Sequence, residues 1–427
     1  MIVSSKPYLS IALLVWGLIA QGGTLSEANP PGASLEELLA LARDHNPEVI
    51  ASRQEALAAR EGVEPAGAFP DPRFRSELMD ITRSGQQDPS LWPDRVASAR
   101  YTLMQEIPWF GKRALKQGIA EQEAISAQGM ASASWAEVAS QVKISQAQRY
   151  YLAHNEALTR EILALMVRLE KVTQARYAAG LGVQQDVIRA QVEQTNLNNE
   201  LLALTRERRQ QDIRLNRLLA RPATAPLADA QQLPSLPTPT QLVPDQLVAQ
   251  LIAASPTLAA AESRWRGAEK NRELTYRNRY PDFTLGVAAN QFQGSTRAWD
   301  VMVEVNIPLQ QDSRRHQEHQ AQAQAEAAQA QRNATADQLQ ATLAENLAAL
   351  ESAQRSEALI TKSLLPQAEL TFRSALAGYE AGQVDFATLL EAQRQIRQGR
   401  QNQLKTQLEG QMGLAEIERL LGRLLEQ

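Results

Sequence analysis

The sequence of 427 residues contains no cysteine. This absence excludes disulfides, thiolate metal ligands, a catalytic thiol and a lipid anchor on an N-terminal cysteine. Aromatic residues make up only 5% of the chain, which argues against two ordinary globular cores. A net charge of −4 gives no indication that nucleic acid or an anionic membrane surface is a partner.

Long apolar runs are also missing. The apolar run at residues 11–20 is shorter than the roughly 20 residues that a membrane-spanning helix needs. Lys6 precedes this run, and the small-x-small triplet at 26–28 follows it, so residues 1–28 are predicted to be an export signal. No later stretch is apolar enough to span a membrane as a helix. An exported chain of this kind could be periplasmic, secreted or an outer-membrane barrel.

The chain contains an internal duplication. The segment YAAG at 177–180 recurs as YEAG at 379–382, and RLLAR at 217–221 recurs as RLLGR at 419–423, each time 202 positions later. This constant offset predicts two copies of one structural unit. The copies are expected to span residues 29–221 and 245–427, and a proline-rich linker at 222–244 is expected to cross between them.

Each copy is predicted to contain one long helix, a returning helix and a shorter helix. The long helix of the first copy, at 112–179, would extend about 100 Å. The returning helices are predicted at 184–219 and 384–421, and Asn46 is expected to cap a helix of about 22 residues that begins at Pro47. Placed end to end, the two shorter helices nearly match the long one, which predicts a uniform rod.

Between the helices, each copy has two strand-like segments of about ten residues with one polar and one apolar face. They are predicted to form β-hairpins at 72–108 and 283–309, a pattern typical of transmembrane β-barrels. Four strands cannot close a barrel, so an oligomer is required, and the pattern leaves two or three copies open. Aromatic residues cluster near the predicted strand ends, as in a membrane-interface girdle or, alternatively, the core of a small soluble sandwich: Trp92, Trp109, Phe110, Tyr280 and Trp299.

These features resemble TolC-type outer-membrane efflux proteins. The resemblance rests on the two Tyr-x-x-Gly turns, the aromatic-Pro-Asp segments, QEIPWFGKR at 105–113 and LLPQAE at 364–369. PWFGKR and FPDP look most similar to the heavy-metal efflux (CusC and CzcC type) branch. The resemblance implies a mainly α fold with a small β part. Each chain would contribute an internally duplicated stretch of a long periplasmic α-helical barrel and four strands of a trimeric transmembrane β-barrel.

The resemblance also implies function and partners. The homotrimer would be the exit duct of a tripartite pump in the bacterial outer membrane, extending into the periplasm. It would dock through a periplasmic adaptor to an inner-membrane transporter of the RND class, and conduct metal cations or small toxic compounds. Ducts of the same fold that serve type I protein secretion or drug efflux remain an alternative. A secreted coiled-coil scaffold without a channel is a second one.

The resemblance assigns two groups of residues near the Tyr-x-x-Gly turns. Tyr379 and Glu391 match a periplasmic gate, and Thr388 stands where the family has a second acidic residue. In the first copy, Asp186 occupies the gate position that bonds across the tip in the family. Without the family, Glu391 would be read as a surface partner of Arg394. Adaptor contact maps to the turns themselves, where both glycines also fit helix C-capping: Gly180, Leu181, Gly382 and Gln383.

No enzyme is predicted. The four histidines occur in no nucleophile or zinc motif, and the chain has no phosphate loop. His316 and His319 would share a helix face, but their Gln- and Glu-rich surroundings favour a solvated surface over a metal site. No cofactor is expected.

Overall fold

The computed structural model describes residues 30–238, 242–292 and 295–423. The predicted signal peptide lies outside these residues. The helices are α1 Leu35–His45, α2 Pro47–Glu61, α3 Val63–Gly67, α4 Lys112–Ala178, α5 Gln184–Leu218, α6 Pro244–Ala254, α7 Pro256–Arg277, α8 Gln311–Leu359, α9 Leu365–Glu380 and α10 Phe386–Leu421. The strands are β1 Arg73–Met79, β2 Ser98–Ile107, β3 Phe283–Phe292 and β4 Ser295–Val305. This confirms the predicted mainly α fold with a small β part.

The 67-residue helix α4 is the axis of the body, about 100 Å long. Near the sheet, the helices contact one another in the order α2, α4, α7, α8. Toward the far end, the order becomes α5, α4, α10, α9. The body is therefore a layer of four helices along its length, with α5 on one edge and α8 and α9 on the other.

The sheet is antiparallel with the order β1-β2-β3-β4, so the two copies meet where β2 pairs with β3. Ile107 lies opposite Phe283, and Ser98 lies opposite Phe292. Within the described residues, the outer edges of β1 and β4 have no partner strand. The sheet thus ends in two open edges.

The two faces of the sheet differ, as the alternation predicted. One row of directly paired, exposed apolar side chains crosses all four strands: Phe74, Leu103, Val287 and Val301. The other face is polar. There Arg100 donates to the side chains of Asn290 and Asp300, both at 2.8 Å.

Three differences from the predicted elements have local causes. The helix from Pro47 is broken at Gly62, so α2 and α3 replace one continuous helix. The second long helix contains a π-helical turn at Ile360–Leu364, just before Pro366. Because proline has no N–H and clashes with the preceding turn, the helix widens there. The sequence pattern predicts the loop of the second hairpin at 293–298, but β4 already begins at Ser295, so the hairpin is tighter than this pattern predicts.

The tighter hairpin changes the position of one predicted girdle residue. Trp299 is the fifth residue of β4 and lies opposite Ala289, inside the strand and not at its end. Its side chain is 72% exposed on the apolar face. Alternation along the strand therefore predicts the face on which Trp299 lies, but not its position along the strand.

Asn46 caps its helix as predicted, whereas the residue at the equivalent position of the second repeat forms no cap. The Asn46 side chain accepts hydrogen bonds from the backbone N–H groups of Glu48 and Val49, at 2.9 and 3.2 Å. The equivalent Ser255 also precedes a proline, but its buried hydroxyl has no hydrogen-bond partner within the described residues. Among those residues, no helix combines the length and apolarity needed to cross a membrane.

The linker after α5 packs along the middle of the helical body. Arg149, which is 1% exposed, pairs with Asp212 at 2.6 Å and donates to the carbonyl of Ala228 at 2.9 Å. Farther along, the carbonyls of Pro234 and Pro237 accept hydrogen bonds from glutamines of α10 and α8. The linker therefore crosses from the helices of the first copy to those of the second.

Candidate functional site

Both Tyr-x-x-Gly segments form the same helix-ending turn. Gly180 and Gly382 each have a φ of +72°, the left-handed conformation predicted for helix C-capping. The N–H after each glycine bonds to a carbonyl five residues earlier, Leu181 to Arg176 and Gln383 to Gly378, both at 2.8 Å. The duplication thus produces two equivalent hairpin tips, which we call tip 1 (residues 176–186) and tip 2 (residues 378–388).

The tips are joined at one level by Arg176. Its guanidinium donates to the carbonyls of Tyr379 and Glu380, at 3.0 and 3.2 Å, and lies 4.9 Å from the centre of the Tyr379 ring. These carbonyls end α9, where the helix dipole is negative, so the cation is favoured there. Arg176 therefore caps tip 2 from tip 1.

Tyr379 is buried, although Tyr177 of the other copy is 49% exposed. The Tyr379 ring lies 5.7 Å from that of Phe386 in an apolar cluster formed by α4, α5, α9 and α10. Burial and the negative charge of Asp186 raise the pKa of the Tyr379 hydroxyl, while Arg176 opposes the shift. Tyr379 and Asp186, which sequence assigns together, thus lie close enough to interact electrostatically.

Asp186 occupies a half-buried position between the tips. Its carboxylate lies 3.9 Å from Arg189. Burial raises its pKa, Arg189 and Arg176 oppose this, and the negative charge of Asp385 adds to it. Two carboxylates from different copies therefore interact across this site.

Asp385 caps the start of α10, and Thr388 in the first turn supplies the donors. Its N–H and its hydroxyl both donate to the carboxylate of Asp385, at 2.9 and 2.7 Å. These bonds lower the pKa of Asp385. The sequence analysis singled out Thr388 but missed Asp385, although Asp at an N-cap three residues before Thr is a recognisable signal.

Glu391 is exposed on the next turn of α10, and within the described residues it has no ion pair. Its alternative partner, Arg394, is directed elsewhere, to Glu193 of α5 at 2.7 Å. Glu193 is 2% exposed and also lies 3.6 Å from Arg397. The local Glu391–Arg394 pair is therefore not formed, and these arginines link the two copies.

The outermost residues of the tips are open to solvent. Leu181 is 70% exposed and Val183 is 58% exposed. Gly180, Gly382 and Gln383 are also exposed. Tip 1 thus presents an apolar surface and tip 2 a polar one. Among the described residues, no three metal-binding side chains come together.

At the opposite end of the molecule, the predicted girdle residues form two groups. Trp109 stacks on Tyr280 with ring centres 5.1 Å apart and contacts Phe110 edge-on, where the sheet meets the helices. Trp299 lies six residues from the end of β4 nearest that group, about 20 Å along the strand. Trp92, 70% exposed, lies in the β1–β2 connection.

The fold defines a class of channel-forming proteins. The chain is similar to the OprN outer-membrane channel (19% identity, TM-score 0.78, covering 92% of this chain and 90% of that one). It is also similar to VceC of Vibrio cholerae (18%, 0.78, covering 92% and 97%) and to CusC (16%, 0.78, covering 91% and 92%). These likenesses establish the TolC-type fold.

Sequence comparison narrows the class. Residues 247–423 match the family Outer membrane efflux protein. The chain is 27% identical over 398 residues to the cobalt-zinc-cadmium resistance protein CzcC of Cupriavidus metallidurans, covering 91% of this chain and 90% of that protein. The predicted resemblance is confirmed: the second half of the chain matches this efflux family, and the chain as a whole has the fold of TolC-type outer-membrane efflux proteins. Such proteins are outer-membrane channels that extend into the periplasm and not enzymes, as the sequence indicated.

Proposed function

We propose that three molecules of this protein form the exit duct of a tripartite efflux pump. The duct conducts its substrates passively from the periplasm to the outside. The observation that carries this proposal is the sheet, which has two open edges and an exposed apolar face. Open edges are not tolerated in lipid, so the sheet must be closed by further copies. Three copies would supply twelve strands, the number implied by the family.

The exposed apolar face supports a position in the membrane. Its side chains lie between the aromatic group around Trp109 and the level of Trp299, about 20 Å away along the strand. Transmembrane barrels have an apolar band of about 25 Å flanked by aromatic girdles. Trp92, Trp109, Phe110, Tyr280 and Trp299 would then contact the lipid interfaces.

The gate would be formed by the tips. Tyr379 lies close to Asp186 of the other hairpin, Thr388 lies in the first turn of α10, and Glu391 projects from the next turn without an ion pair within the described residues. Around a three-fold axis, the three Glu391 carboxylates would form a constriction that favours cations.

Partners and substrates follow from the tips and the relatives. Gly180, Leu181, Gly382 and Gln383 would contact a periplasmic adaptor, which connects the duct to an inner-membrane transporter of the RND class. Metal cations are the favoured substrates, because CzcC is a cobalt-zinc-cadmium resistance protein and the proposed constriction is acidic. Type I protein secretion or drug efflux would use the same fold.

The first experiment tests assembly and membrane insertion. The full-length protein is expressed with its signal, outer membranes are isolated, and the detergent-solubilised particle is weighed by native mass spectrometry. A trimer is expected. Val301→Lys, which puts a charge on the apolar face, should reduce it strongly, whereas Glu304→Gln on the polar face should not. A soluble monomer or dimer would exclude the duct.

The second experiment tests the gate. Glu391→Ala combined with Tyr379→Phe should raise single-channel conductance in planar bilayers. The variant removes the carboxylates that would form the constriction and the Tyr379 hydroxyl beside it, so the closed gate should be less stable. Glu207→Ala, an exposed carboxylate on α5, is the matched control and should leave the conductance unchanged. An unchanged conductance in the double variant would remove Glu391 and Tyr379 from the gate.

A further inference from the structure

The edge helix α5 carries a stripe of side chains that face away from α4. Val192 is 53% exposed and Leu202 is 72% exposed. Arg217 is exposed, and its side chain has no ion pair or hydrogen bond within the described residues. At 3.6 residues per turn, all three lie opposite the buried face that includes Leu197 and Leu215.

The other edge of the layer carries a second stripe. Leu359 at the end of α8 is 67% exposed, and Leu370 on α9 is 65% exposed. Glu345 on α8 is also exposed, without an ion pair in the described part of the chain. These residues lie opposite the buried positions Leu343 and Leu350 of the same edge.

The two stripes have complementary chemistry at matching heights. Arg176 holds tips 1 and 2 level, so height can be counted from Gly180 and Gly382. Val192 and Leu370 are each 12 residues from their glycine, and Leu202 and Leu359 are 22 and 23 residues away. The π-helical turn at Ile360–Leu364 lies in the longer interval, and such a turn accommodates one additional residue.

The charged positions match as well. Arg217 and Glu345 are each 37 residues from their glycine, and the interval from Glu345 includes the additional residue of the π-helical turn. Their heights are therefore about 55 Å and agree to within about 1.5 Å. The helices run in opposite directions, α5 away from the tips and α8–α9 toward them. A copy rotated about an axis parallel to the helices would therefore place apolar against apolar and cation against anion, at three levels.

We propose that α5 of one copy packs antiparallel against α8 and α9 of the next. In this register Val192 contacts Leu370, Leu202 contacts Leu359 and Arg217 pairs with Glu345. The contact is heterologous, so it generates a ring when the rotation closes. The inference rests on the proposed assembly and adds its register and a charge pair that favours copies of this chain over other efflux proteins.

The absence of native cysteine allows a direct test. In the variant Leu202→Cys with Leu359→Cys, oxidation should link neighbouring copies, giving dimers and trimers on non-reducing gels. A disulfide needs Cα atoms about 4.4–6.8 Å apart. Leu202→Cys with Ala348→Cys is the matched control, because its partner is displaced by about 16 Å along the helix, and it should not link.

Native mass spectrometry before oxidation separates the two proposals. Linking in the control but not in the test pair, in particles that are trimers, would overturn the register and leave the duct intact. Particles that are not trimers would contradict the assembly itself.

A charge exchange tests the ion pair separately. Arg217→Glu should lower the trimer-to-monomer ratio at least about fivefold, because the loss is repeated at each interface. Glu345→Arg in the same chain should restore the ratio, while Arg168→Glu, an exposed arginine of α4, should not lower it. Failure of the double variant to recover would overturn the Arg217–Glu345 pair.

Discussion

Replacing Arg176 with alanine tests how strongly one hairpin tip stabilises the other. This side chain belongs to tip 1, where it donates to the carbonyl of Leu181 at 3.5 Å, yet its two shorter hydrogen bonds go to the carbonyls of Tyr379 and Glu380 in tip 2. Its removal leaves the end of α9 without a charged donor. We therefore expect α9 to open locally near its C-terminus while the rest of the helical body is unaffected.

The magnitude follows from the contacts. One guanidinium nitrogen serves both carbonyls, so it counts as a single charge-assisted hydrogen bond of about 1.5 kcal/mol. The position over the Tyr379 ring adds about 0.5 kcal/mol at a partly exposed site. A loss of about 2 kcal/mol corresponds to roughly 30-fold faster exchange of amides that open locally.

Hydrogen–deuterium exchange with mass spectrometry measures this loss at residues 376–386. Arg176→Lys should give an intermediate rate, because it retains the charge but loses the planar donor group. Arg373→Ala is the matched control, since Arg373 is an exposed arginine of α9, the helix whose end Arg176 caps. A change of less than about threefold in Arg176→Ala would refute the view that Arg176 holds tip 2.

Three further predictions concern charge, backbone and burial. The folded-state pKa of Asp186 is raised and that of Asp385 is lowered. As pH rises from the unfolded value of 3.8 through the raised pKa of Asp186, this residue therefore lowers the stability of the folded protein. Asp385 instead stabilises the folded protein above pH 3.8, and this contribution is lost as pH falls through its lowered pKa. Asp186→Asn should raise the melting temperature at pH 7 but not at about pH 3, and Asp385→Asn should lower it at pH 7. For either variant, an equal shift in melting temperature at both pH values would contradict this. Gly180→Ala should cost about 1 kcal/mol through its φ of +72° alone, since no neighbouring atom would clash, and amide exchange at 177–183 would report it; unchanged exchange would exclude backbone strain. Arg149→Met should cost about 2–4 kcal/mol by leaving Asp212 without its buried partner, measured by urea denaturation against the exposed control Arg214→Met; equal midpoints would contradict it.

The periodic features of the fold could be predicted from the sequence because they depend on spacing. Glycine at 180 and 382 ends both long helices, and alternation along β2 and β4 gave the correct apolar face. The exceptions have local causes that the spacing of apolar residues does not register. Gly62 interrupts the helix that begins at Pro47, and Pro366 follows directly after the π-helical turn at Ile360–Leu364.

The site was less predictable because its partners lie far apart in the chain. Resemblance identified Tyr379 and Asp186, which the structure brings into electrostatic contact. It gave no indication of Arg176, which is 203 residues from its carbonyl partner on Tyr379. Arg394 has one acidic neighbour at helical spacing, Glu391, so local rules favoured this residue over the Glu193 that Arg394 contacts.

The residues that join the two repeats near the tips occur where the repeats differ in sequence. At an offset of 202, Arg176 corresponds to Gly378, and Arg394 corresponds to Val192. Physical complementarity requires this, because identical residues at equivalent positions would place like charge against like charge or leave donors without acceptors. Tyr177 and Tyr379 show the consequence for a position that did not change, since the same residue is exposed in one copy and buried under an arginine in the other. Arg176→Gly, which makes the two repeats identical at this position, should therefore weaken the contact between the tips as much as Arg176→Ala does. Any further loss of stability in the glycine variant would come from the added flexibility of glycine within α4.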